Sequence, residues 1–144
     1  MKFKNNTLAK HLINEEKVYF ELFGAHINLI VDNYTSADSQ IFASQLNNLP
    51  EKTIKSLCEA TSEYCNNKLY AIGKSAIQFE KTESILCYLR PILLLVSFEG
   101  SKRIMTLNLE FECSLLNKSV IEWVIQGDTI LHVGSFYDNP QFCQ

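Results

Sequence analysis

The sequence predicts an α+β fold in two layers, a mainly antiparallel sheet of about five or six strands with helices packed on one face. Three observations predict it. Short β-rich runs stand near the start of the chain and again through its C-terminal half, whereas the middle carries apolar residues at three- and four-residue intervals. A length of 144 residues with 47% hydrophobic content suits one core, and only 5 Gly and 3 Pro leave no flexible linker. Residues 1–144 therefore read as a single domain.

The elements follow in order. Lys17–Phe23 and His26–Asp32 flank Gly24 and Ala25 and read as a hairpin. Alternation puts Val18, Phe20 and Leu22 on one face with Ile27, Leu29 and Val31, and turns Tyr19, Glu21 and Asn28 the other way. Tyr34–Asp38 is polar and turn-like, with Ser36 or Asp38 available to cap a helix. Ile41, Phe42, Leu46 and Leu49 then fall near helical spacing, and Pro50 ends that helix and can open another. Ile54, Leu57, Cys58, Thr61, Tyr64 and Cys65 form the stripe of a second helix that stops near Gly73.

Lys74–Glu83 is ambiguous, and Ser84–Arg90 suits a short helix or a strand closed by Pro91. Ile92–Glu99 is nearly all apolar, which predicts a central strand covered on both faces. Ile104–Cys113 alternates, placing Leu107, Leu109, Phe111 and Cys113 inward and Asn108, Glu110 and Glu112 outward. Val120–Gln126 and Thr129–Val133 flank Gly127-Asp128, a tight-turn signal, with Ile121, Trp123 and Ile125 inward and Glu122 outward. The tail from Ser135 reads as coil that packs back through Phe136, Tyr137 or Phe142.

Composition excludes several functional classes. The opening residues hold no signal-length apolar run, and no window supplies about 18 apolar residues for a membrane span, so a cytoplasmic, membrane-free protein is expected. Cys58, Cys65, Cys87, Cys113 and Cys143 are odd in number and form no CxxC pair, so reduced thiols are expected rather than a disulfide framework, buried and inert except for Cys143 beside the last residue. His11, His26 and His132 have no ligand at metal-binding spacing, and no Gly-rich phosphate loop or nucleophile elbow occurs. The expectation is no catalytic residue, no cofactor and no metal: a protein that is not an enzyme.

Charge is unevenly placed. Met1–Arg103 holds 12 basic and 11 acidic residues, whereas Ile104–Gln144 sets Lys118 alone against Glu110, Glu112, Glu122, Asp128 and Asp138. Such an acidic third repels phosphate backbones and favours a basic protein partner. Glu110 and Glu112 lie about 7 Å apart on one strand face by strand geometry. That pair could serve glycoside chemistry, but a solvated binding face joined by Glu122 is the preferred reading.

Several segments resemble an uncharacterised bacterial domain family encoded beside polymorphic toxins. They are Phe23-Gly24 with Ile27 and Leu29, a helical region with Gln45, Leu46 and Leu49, Glu63-Tyr64-Cys65, Leu109–Cys113, and Ile121–Asn139. Where members of that family read E-H-G-L, this chain has Asn117-Lys118-Ser119-Val120. The resemblance implies an immunity protein of the polymorphic-toxin and contact-dependent growth inhibition kind. Its partner would be a cognate toxin domain, with the chain itself a monomer or weak homodimer. A basic toxin, such as a nuclease, suits the acidic residues Glu110, Glu112, Glu122, Asp128 and Asp138. The alternatives are a small enzyme or ligand-binding domain with a pocket between sheet and helices, and a subunit of a larger assembly.

Overall fold

The computed structural model describes residues 16–31, 39–100 and 104–138. It contains β1 (Glu16–Phe20), β2 (Ala25–Val31), α1 (Ser39–Asn47), α2 (Glu51–Ala71), β3 (Leu89–Glu99), β4 (Ile104–Cys113), β5 (Ser119–Gln126) and β6 (Thr129–Gly134). Three short 3-10 segments, Thr82–Tyr88, Ser114–Leu116 and Phe136–Asp138, complete it. The predicted α+β class stands. The strands form one six-stranded sheet in the order of the chain.

Five neighbours could all have been hairpins, yet β2 and β3 run parallel, with Asn28 opposite Leu93 and Val31 opposite Val96. Parallel strands need a crossover, and α1, α2 and the first 3-10 segment lie between these two in the chain. The other four pairings are antiparallel. The C-terminal meander is thus as expected.

The core forms where both alternation patterns meet. Val18 and Phe20 of β1, Ile27 and Leu29 of β2, Leu94 and Val96 of β3, Leu107, Leu109 and Phe111 of β4, and Ile121, Trp123 and Ile125 of β5 are all buried. Leu57, Cys58, Thr61, Cys65 and Leu69 supply the buried stripe of α2. Trp123 stacks obliquely on Phe111 with centroids 4.5 Å apart. Its indole N–H donates to Thr61 Oγ1 at 2.9 Å, and Thr61 Oγ1 donates to the Leu57 carbonyl at 2.6 Å. A buried indole N–H needs such a partner, so one hydroxyl ties the sheet to the helix layer.

Two asparagines hold loops. Asn47 Nδ2 donates to the Tyr19 carbonyl at 2.7 Å and its Oδ1 accepts from Glu21 N at 2.9 Å, so the end of α1 pins the first hairpin. Asn66 does the same for the chain after α2, accepting from Ile77 N at 2.8 Å and donating to the Ile77 carbonyl at 3.2 Å.

Several expectations are corrected. β1 stops at Phe20, and Glu21–Gly24 is a turn closed by Phe23 N on the Phe20 carbonyl at 3.1 Å, so Leu22 leaves the inward set and is exposed. Ser84–Arg90 divides between a 3-10 segment and the start of β3, which continues through Pro91. Proline is tolerated there because the register shifts between Pro91 and Leu93, a bulge that asks no ladder hydrogen bond of it. β3 is central but fully buried on one face only: Leu93 and Leu95 remain half-exposed. Phe136 is exposed rather than buried in the core. The helix caps Ser36 and Asp38, and the tail residue Phe142, lie outside the described residues.

Candidate functional site

A groove of about 1090 Å³ opens where β4 ends, β5 begins and the C-terminal turns of α2 run alongside. Glu110 and Glu122 line it from the sheet, Tyr64 and Lys68 from α2, Leu115 and Asn117 from the β4–β5 connection, and Phe136 from the segment after β6. The connection reverses the chain tightly. Asn117 (φ 56°) and Lys118 (φ 66°) are both left-handed, and Lys118 N donates to the Cys113 carbonyl at 2.9 Å. Asparagine tolerates that region better than most residues.

Gly134 brings the end of β6 against this wall. Its φ is +145°, and a Cβ there would lie 3.1 Å from Tyr64 Cδ1 and Cε1. Only a residue without a side chain lets the tyrosine ring sit where it does. Lys68 Nζ lies 5.4 Å from the centroid of the same ring, and this cation–π contact fixes both side chains on the groove wall. Burial first, then the Asp138 carboxylate, raises the Tyr64 pKa above the ordinary phenol value.

Glu110 and Glu122 are directly opposite across β4 and β5. Glu122 is only 2% exposed, so the expectation that it faces solvent is overturned. It sits on the predicted side of the strand, but that position is screened. Asn108 Nδ2 donates to its Oε1 at 2.9 Å, and His132 Nε2 lies 3.8 Å from its Oε2. The same His132 nitrogen is 2.8 Å from the Ser135 carbonyl. Asn108 Oδ1 is buried with no hydrogen-bond partner. Burial, then the facing Glu122, raises the Glu110 pKa above the usual carboxylate range.

The remaining predicted residues are distributed differently. Glu112 is half-exposed and bound by Arg90, whose Nη2 and Nε donate to Oε1 at 2.6 and 3.2 Å. Asp138 belongs to the last 3-10 segment near Tyr64. Asp128 occupies the β5–β6 turn at the opposite end of the strand, where its carbonyl accepts from Thr53 Oγ1 at 3.4 Å. The structure thus gathers Glu110, Glu122 and Asp138 about the groove, leaves Glu112 beside it in an ion pair, and places Asp128 elsewhere.

Sequence reasoning missed both Tyr64, which it read as part of the helix stripe, and Lys68, which it did not single out. Their four-residue spacing near the end of a 21-residue helix was the only signal. It also treated the cysteines singly. Cys58, Cys65 and Cys113 are buried as expected, whereas Cys87 is exposed. Burial first, then the carboxylates of Glu83 and Glu59, pushes the Cys58 thiol up to about 11. Cys113 shifts the other way: the hydrogen bond shared with Cys65, and then backbone N–H groups of Leu115 and Leu116, lower it to about 7 against the opposing effect of burial.

Among the described residues, no group of three His, Cys, Asp or Glu could hold a metal ion. No helix among them is long and apolar enough to cross a membrane. A family model described as Domain of unknown function (DUF6985) matches residues 3–140, and the chain belongs to that family. No curated protein and no solved structure matches the chain.

Proposed function

We propose that this DUF6985 domain is an immunity protein that binds a cognate bacterial toxin domain, a basic nuclease, and neutralises it by direct contact. The observation that carries the reading is Glu110 facing Glu122 in an open groove. Like charges directly opposite on antiparallel strands repel, and burial first, then that repulsion, raises the Glu110 pKa. A lysine or arginine side chain entering the groove relieves it. Interaction energy withheld in the free protein then returns as affinity.

Tyr64 and the exposed Phe136 add aromatic contact area on the same walls. Asp138 adds negative potential close by, and Asp128 and Glu112 contribute to the long-range field that speeds encounter with a basic partner. The resemblance of the sequence to an uncharacterised family encoded beside polymorphic toxins supports the same reading. In it the domain works in the cytoplasm as a monomer or weak homodimer, catalyses nothing and takes no cofactor.

The test is co-expression with the toxin domain encoded by the adjacent gene. The expected result is a co-purifying complex and protected cells. Glu110→Lys should weaken binding about tenfold or more, equivalent to about 1.4 kcal/mol, and flatten its salt dependence. No complex with the neighbouring product sinks the immunity reading. Unchanged affinity of Glu110→Lys removes the groove from it.

One observation favours a second reading. The groove volume of about 1090 Å³ is that of a small-molecule pocket, and Lys68 and Lys74 line it together with Glu110 and Glu122. A ligand-binding domain for a zwitterionic small molecule would use both charges. A compound of that class raising the melting temperature of the wild type, and not of Glu110→Gln, would replace the first reading.

A further inference from the structure

Below the groove, two thiols from separate layers are in contact. Cys65 of α2 and Cys113 at the end of β4 place their Sγ atoms 3.7 Å apart, and both residues are wholly buried. Each is one residue from a groove wall: Tyr64 precedes Cys65, and Ser114 follows Cys113. A disulfide spans about 2.05 Å between sulfurs, so the pair must close by about 1.7 Å.

The surroundings assign different roles to the two sulfurs. The two sulfurs share one hydrogen bond in which either can be the donor, and backbone N–H groups of Leu115 and Leu116 favour the ionised Cys113 sulfur. Backbone donors on that sulfur, absent from Cys65, favour the thiolate there, which is the nucleophilic form. The contact with Cys113, and then burial, raise the Cys65 thiol, so it holds its proton until Cys113 has reacted.

We propose that Cys65 and Cys113 are a reversible oxidation site, a dithiol that a small peroxide converts to a disulfide joining α2 to β4. The Cys113 thiolate attacks one peroxide oxygen. An S–O bond forms, the O–O bond breaks, and the departing hydroxide takes the Cys65 proton to leave as water. The Cys65 thiolate then attacks the Cys113 sulfur. The S–S bond forms, the S–O bond breaks, and the second hydroxide is protonated from solvent. Two thiols lose two electrons, and hydrogen peroxide becomes two waters. A solvent thiol reverses the link by exchange.

The bridge fixes the spacing between the α2 wall and the β4–β5 wall, so the oxidised groove cannot widen. This chemistry does not rest on the proposed toxin partner, and the following test does not use one. The reduced full-length chain is treated with hydrogen peroxide, alkylated, digested without reductant and analysed by mass spectrometry. The expected product is a Cys65–Cys113 peptide pair lighter by two hydrogens than the separate peptides, and lost on adding dithiothreitol. Cys65→Ser and Cys113→Ser abolish it, and Cys87→Ser leaves it intact.

Because serine in a buried site can unfold the protein, the wild type decides the matter alone. Its folded state is monitored through Trp123 fluorescence during oxidation. Cross-links made only through Cys87, or sulfinic acid on Cys113 with no Cys65–Cys113 peptide, overturn the proposal. So does a linked peptide that appears only once the chain has been unfolded.

Discussion

Replacing Thr61 by valine isolates the single hydroxyl that joins the sheet to the helix layer. Valine keeps the branched shape and has a helix propensity close to that of threonine, so neither packing nor backbone preference changes much. What changes is the Trp123 indole N–H, which loses its acceptor at 2.9 Å while remaining wholly buried. The Leu57 carbonyl also loses the Thr61 donor at 2.6 Å. A buried donor left unsatisfied costs about 1–3 kcal/mol, and the Leu57 carbonyl adds little because a carbonyl has a second lone pair. For a chain of this size that corresponds to a fall in melting temperature of about 3–9 °C.

Urea unfolding followed by Trp123 fluorescence measures the change, since Trp123 is the one tryptophan in the chain. The same substitution in a Trp123→Phe background should cost only about 0.5 kcal/mol or less, because no indole N–H remains to be stranded. A Thr61→Val cost within about 0.5 kcal/mol of zero would refute the reasoning. An equal cost in both backgrounds would assign the effect to α2 alone.

Glu110→Gln should raise the melting temperature at neutral pH. The folded-state pKa of Glu110 is raised, so the native state binds more protons than the unfolded state between the two pKa values, and stability falls as pH rises through that window. The penalty persists above it, and the advantage of the glutamine variant should vanish when both states are protonated at acidic pH. Gly134→Ala should cost about 1–3 kcal/mol in urea unfolding, from strain at its positive φ and from displacement of the Tyr64 ring. A thiol reagent applied to the native protein should modify Cys87 far faster than Cys58, which is buried and held protonated at neutral pH; comparable rates would contradict the packing of α2.

Most of the fold was legible because it obeys two periods. Val18, Phe20, Ile27 and Leu29 alternate in the hairpin, Leu107 to Cys113 alternate in β4, and Leu57, Cys58, Thr61 and Cys65 repeat along α2. The parallel pairing of β2 with β3 was not legible, since alternation tells which face a residue takes and is silent on which strand lies beside it. Pro91 misled for a related reason, as its tolerance depends on a bulge created by the partner strand. Alternation likewise put Glu122 on the correct side, but its burial depends on tertiary cover. The groove was least legible. It is assembled from the ends of elements, and its cysteine pair is 48 positions apart in the chain.

The single parallel junction has a consequence for how the molecule assembles. β3 to β6 are joined by short connections, as are β1 and β2. Hairpins of this kind close in about 1–10 μs. Uniting the two groups requires β2 to find β3 across the whole helical region, a non-local step of the sort that slows folding. Until β2 docks, β3 presents a bare hydrogen-bonding edge along Leu93–Val96, the residues it will pair. The slowest step in assembly is therefore also the interval in which the most apolar strand of the chain is open to mispairing with another copy.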